Sequence, residues 1–121
     1  MKVDASFANG LVAKPGGGQA GATPLALPTS SAPASFTRFT IVASSGDSAM
    51  LPTASPGLTY TVKNAGANSL NMFPNPVSNP GVLGGDQINA LGVNTAFALA
   101  AAKSAQFFCV ANGFWDVILS A

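Results

Sequence analysis

The side chains able to carry chemistry are few and far apart. Asp4, Asp47, Asp86 and Asp116 are the only acids, Lys2, Lys14, Arg38, Lys63 and Lys103 the only bases, and Cys109 the single cysteine. His and Glu are absent. A general base would have to be an Asp, a Lys or Tyr60, and the four Asp fall in four separate segments. Asp47 and Asp86 each follow a Gly, the ordinary signature of a turn. A nucleophilic Cys109 would need a base to form its thiolate; without His, it reads as a small buried hydrophobe in a strand. One Cys and scattered Asp match no metal-ligand spacing. Ala101-Ala102-Lys103-Ser104 ends like a phosphate-binding loop but lacks the preceding glycines. Tyr60 and Trp115 are the pair from which a sugar-stacking platform would be built, although Trp among Val and Phe in a strand is more often core. The expectation is a protein that is not an enzyme and carries neither cofactor nor metal.

Charge is equally sparse. Charged residues make up 7% of 121, against roughly 25% in ordinary soluble domains. A net charge of +1 spread so thinly gives no footprint for nucleic acid, which needs clustered Lys and Arg. A surface this short of charge is expected to be covered by something else. No apolar run approaches the ~18 residues of a membrane span, and MKVDASFANGLVAKPGGG lacks the apolar heart of a signal peptide. A lone cysteine excludes an internal disulfide. The expectation is a soluble chain made in the cytoplasm.

The elements around these residues read as strands. Ala96 to Leu119 predicts three antiparallel strands, the last two joined at Asn112-Gly113, a pair suited to a two-residue turn with φ > 0 at both positions. Direct pairing from that turn sets Val110 against Trp115, Cys109 against Asp116, Phe108 against Val117 and Phe107 against Ile118. One face then carries Phe108, Val110, Trp115 and Val117, and the other Phe107, Phe114 and Ile118. Both faces are apolar, so the second needs a cover. With Tyr60, Val62, Phe97 and Leu99, the first face forms the predicted core.

Upstream, residues 36–45, 48–51, 58–63 and 69–73 predict a meander of strands, with Asn64 to Asn68 as a hairpin loop. Residues 74–85, rich in Pro and Gly, predict an excursion on the rim whose Val77, Val82 and Leu83 are candidates for partner contact. Residues 86–91 read as a short strand or a single turn. Residues 1–35, punctuated by Gly, Pro and Ser, read as an extended arm preceding a β domain of residues 36–121. Val3, Phe7, Leu11, Val12, Leu25 and Leu27 are spaced for docking along a partner.

From Gly46 to Trp115, the segments GDSAMLPTASPGLTYTVKNAGANSLNMFP and GDQINALGVNTAFALAAAKSAQFFCVANGFW form an ordered pattern over about seventy residues. The pattern resembles small proteins of tailed bacteriophages and prophages that look like head decoration, or cement, proteins. In these, GD-S-LP, a strand ending in KNAGAN, GD-IN and FALAAGKSA-F-C-G-W recur in that order. The resemblance implies an all-β chain, an antiparallel β-sandwich or jelly-roll-like domain preceded by its arm. It also implies a place on the virion capsid exterior, with the major capsid protein and neighbouring copies of itself, as dimer or trimer, for partners, and with neither nucleic acid nor membrane bound. Residues 74–85 stand as an insertion relative to the pattern, Ala102 replaces its Gly, and residues 1–35 lie outside it. The alternative function is a tail-fibre or receptor-binding module that binds carbohydrate.

Overall fold

The computed structural model describes residues 7–14, 35–76 and 85–120, and these are all-β, with no helix among them. The strands are β1 (Phe7–Val12), β2 (Phe36–Ile41), β3 (Ser48–Met50), β4 (Thr59–Asn64), β5 (Leu70–Phe73), β6 (Gln87–Ile88), β7 (Phe97–Leu99), β8 (Ser104–Ala111) and β9 (Phe114–Leu119). They form a six-stranded sheet ordered β1-β2-β4-β8-β9-β6 and a three-stranded sheet ordered β3-β5-β7. Period-two burial explains why two sheets suffice: in β4, Tyr60, Val62 and Asn64 are buried while Thr59 is exposed and Thr61 and Lys63 are half-buried. One core joins Phe39, Val62, Phe107 and Trp115 of the larger sheet to Ala49, Leu70, Met72 and Leu99 of the smaller.

The predicted meander is corrected by the pairing. β2 lies parallel to β4 in one sheet and β3 parallel to β5 in the other, so from β2 to β5 the chain crosses between sheets after each strand. A parallel pair cannot be closed by a tight turn and needs a crossover. Here the crossover of each sheet is a strand of the other. One circuit takes 25 residues from Phe36 to Thr61 and 23 from Ser48 to Asn71. The winding then reverses, with β7 antiparallel to β5 and β8 antiparallel to both β4 and β9. The expected antiparallel sandwich or jelly roll thus gives way to a short solenoid-like coil closed by a hairpin.

The corner after β4 shows why the loop does not make a hairpin. Asn64 is fully buried; its Nδ2 donates to the carbonyls of Asn68 (2.8 Å) and Leu99 (2.9 Å), and its Oδ1 accepts from the Gly66 amide (3.0 Å). Asn68 Nδ2 donates to the Val42 carbonyl at 2.7 Å, tying the corner to the circuit beneath it. Gly66 packs so closely there that a Cβ would stand 2.7 Å from the Val42 amide nitrogen.

The β8–β9 register is the second correction. Ala111 faces Phe114 as expected, but the next pair is Cys109 with Trp115, leaving Val110 unpaired as a β-bulge. The turn has positive φ at Gly113 (80°) and not at Asn112, so it is not the turn the dipeptide predicts. A one-residue slip exchanges the faces of a strand. Phe107 and Cys109 therefore join Trp115 in the core, while Val110, predicted buried, is 67% exposed, and Phe108 is half-buried on the outer side. The slip is favoured because it hides the Phe107 ring beside Phe97, at a centroid distance of 5.9 Å.

Candidate functional site

The polar groups named by the sequence serve as internal pins. Asp47 lies in a turn opened by Gly46 (φ 95°), where its carboxylate accepts the Ser44 amide at 3.1 Å. Asp86 is fully buried; its Oδ2 accepts the Ala54 amide at 2.7 Å, and its own amide donates to the Asn75 carbonyl at 2.9 Å. Through Gly113, whose amide donates to the Ala54 carbonyl and whose carbonyl accepts from Gln87, the hairpin tip joins the same knot. Burial raises the Asp86 pKa against the lowering effect of the Ala54 bond, and its Oδ1 has no partner.

Cys109 is not arranged as a nucleophile. Its thiol donates to the Ala111 carbonyl at 2.9 Å, bracing the bulge, and desolvation raises its pKa, helped by the negative charges of Asp86 and Asp116. Tyr60 and Trp115 are both buried, their ring centroids 5.8 Å apart, so they offer no open stacking platform. Among the described residues, no group of three His, Cys, Asp or Glu is placed to hold a metal ion, and no helix is long and apolar enough to cross a membrane.

What remains open is apolar surface. Of the proposed contact residues, Phe7 and Val12 are 69% and 53% exposed on β1, the outermost strand of the larger sheet, whereas Leu11 packs against the core. The neighbouring Ala13 is buried. Sequence reading placed this segment in the arm because Asn9-Gly10 looks like a break. In the structure, Gly10 (φ 80°) sits at an irregularity between Asn9 and Leu11, and β1 pairs parallel with β2. Phe7, Leu11 and Val12 within six residues were the available signal. Val12 stands beside Ile41, which is also exposed. Val3, Leu25, Leu27, Val77, Val82 and Leu83 lie outside the described residues.

A second open surface is the outer face of the larger sheet. Its cross-strand registers place Phe36, Thr61, Gln106 and Ile118 in one row, with Phe7 beyond Phe36 at a ring distance of 6.0 Å. The row on one side holds Arg38, Lys63 and Ser104; the row on the other holds Thr59, Phe108 and Asp116. Phe114 and Ile118 are 42% and 57% exposed, so of the three residues predicted to need a cover, two remain open and Phe107 is enclosed. Phe97 and Val117, predicted core, are half-buried and pack against it.

Comparison with known proteins returns no match among family models, curated proteins or solved structures.

Proposed function

We propose that this chain is a structural virion protein of the capsid decoration, or cement, type, which binds the outer surface of a major capsid shell and stabilises it. The observation that carries this reading is the edge strand β1: it presents Phe7 and Val12 to solvent beside Ile41, and it is continuous with the Gly- and Pro-rich segments that the sequence marks as an arm. A strand that is outermost among the described residues and exposes apolar side chains suits addition to a partner's surface. The ordered motif pattern from Gly46 to Trp115 supports the same assignment. Many weak contacts of this kind, repeated over a shell, reinforce it through avidity. The accompanying fold is a two-sheet β-coil in place of the jelly roll. The buried Tyr60–Trp115 pair withdraws the feature that favoured a carbohydrate-binding module.

The test is the location and copy number of the chain in purified particles. It is expected on heads, in proportion to the major capsid protein, and Phe7→Asp with Val12→Asp is expected to lower its retention while leaving its melting unchanged. A few copies confined to tails would overturn the reading.

A further inference from the structure

We infer that Asn9 is a site of spontaneous modification, converted to aspartyl and isoaspartyl products by attack of the Gly10 backbone nitrogen, and that the isoaspartyl product releases β1 from its sheet. The inference does not depend on the capsid reading. It starts from a tripeptide that occurs twice, Ala8-Asn9-Gly10 and Ala111-Asn112-Gly113. In each, the glycine lacks the Cβ that would hinder its nitrogen from folding back onto the asparagine side chain. The nitrogen bonds to the asparagine Cγ, the Cγ–Nδ2 bond breaks, and Nδ2 leaves as ammonia with the amide proton. Water then opens the resulting succinimide at either carbonyl, giving aspartate or isoaspartate. Each event replaces a neutral amide by a carboxylate. The two tripeptides are identical, so the fold decides between them.

Asn112-Gly113 is held. Gly113 is buried, its amide donates to the Ala54 carbonyl at 3.3 Å, and its carbonyl accepts from the Gln87 amide at 2.8 Å, so the attacking nitrogen is tied down. Asn9 and Gly10 are instead exposed, on the strand that is outermost among the described residues. The register passes from Asn9 on Arg38 to Leu11 on Phe39 and leaves Gly10 without a pair. Gly10 has φ 80°, and nothing stands within 4 Å of the place a Cβ would take. Bringing nitrogen and Cγ together at this break disturbs one neighbouring strand. At the hairpin tip the same motion disturbs the buried knot of Ala54 and Asp86.

The two products act differently on β1. Asn9 Oδ1 accepts from Arg38 Nη1 at 3.4 Å. Aspartate keeps the backbone and sets a carboxylate at that contact, which becomes charge-assisted. Isoaspartate routes the chain through the side-chain carbon and so adds an atom to the backbone ahead of Gly10. Pairing and facing along a strand depend on an unbroken residue repeat. The added atom therefore moves Leu11 and Val12 out of step with Phe39 and Ile41 and withdraws Leu11 from its packing against the core.

The test ages the full chain at mildly alkaline pH and follows both asparagines by peptide mapping, with electron-transfer fragmentation to separate aspartate from isoaspartate. Modification is expected several times faster at Asn9 than at Asn112 in the folded chain, and at equal rates in denaturant. Equal rates in the folded chain, faster loss at Asn112, or a ratio that persists in denaturant would overturn the site. The isoaspartyl form, purified from the aged sample, is expected to exchange its Leu11 and Val12 amides at the rate of an unfolded peptide, whereas Asn9→Asp exchanges them as slowly as the unaged chain. Slow exchange in the isoaspartyl form would overturn the release of β1. None of these results bears on binding to heads, which is read out on particles.

Discussion

Cys109 stands opposite Trp115 on the core side of the β8–β9 hairpin, and Val110 bulges outward beside them. Val110 separates this arrangement from direct pairing, and Trp115 reports the core that both registers share. Trp115→Ala is expected to cost about 3–5 kcal/mol, because it empties the largest fully buried side chain of the core. Val110→Ala is expected to stay within about 0.5 kcal/mol, as at an ordinary surface site. Chemical denaturation measures both, and a large loss at Val110 would restore the direct register.

Ala102 takes a left-handed backbone (φ 67°) in the turn between β7 and β8, where Lys103 donates back to the Ala100 carbonyl. A Cβ in that region costs roughly 1–2 kcal/mol, which a glycine avoids at some cost in chain entropy. Ala102→Gly is therefore expected to raise stability by about 0.5–1 kcal/mol, seen as a higher denaturation midpoint at unchanged slope.

Gly66 has the opposite sensitivity. A methyl group there meets the Val42 amide at 2.7 Å and its Cγ2 at 2.8 Å, backbone and a buried side chain that have no room to retreat. Gly66→Ala is expected to destabilise by about 1–3 kcal/mol, the usual cost of overpacking. A neutral outcome by thermal melting would mean that the corner is looser than described.

Asp86 gives the pH dependence. Its folded pKa is raised by burial, so the folded state holds the proton more tightly than the unfolded chain does. This contribution to stability is present below the unfolded carboxylate pKa and declines as pH rises through the raised value. Asp86→Asn keeps an oxygen for the Ala54 amide and removes the buried charge, so it is expected to gain on the native chain as pH rises from 3 towards neutrality. Asp86→Ala removes the Oδ2 acceptor of that amide and is expected to cost about 1–3 kcal/mol. Denaturation midpoints across pH read both, and an Asn variant that loses ground with rising pH would refute the sign.

Most strands could be placed from residue types alone, because Phe36–Ile41, Thr59–Asn64 and Phe114–Leu119 each carry β-branched or aromatic residues over a strand's length. Their partners could not. A five-residue link such as NAGAN serves a hairpin or a corner between sheets equally well, and only the burial of Asn64 and the contact at Val42 distinguish them. The bulge was hidden for a similar reason. Asn-Gly favours one turn locally, but burial of Phe107 outweighs it by selecting a register one residue away. For the docking surface, Phe7 and Val12 were visible as candidates, whereas the outer-face row depends on pairings between distant strands that no local pattern encodes.

β1 joins its sheet across a gap of 29 residues, from Phe7 to Phe36, and has one strand neighbour among the described residues. Closing so long a loop precedes any reward from pairing, so this strand is expected to dock last during folding and to detach first. Amide exchange should therefore be fastest along residues 8–12 and slowest in β4 and β8, which lie between two neighbours. A strand that opens independently of the body beneath it would let the molecule reach for a partner without melting its core.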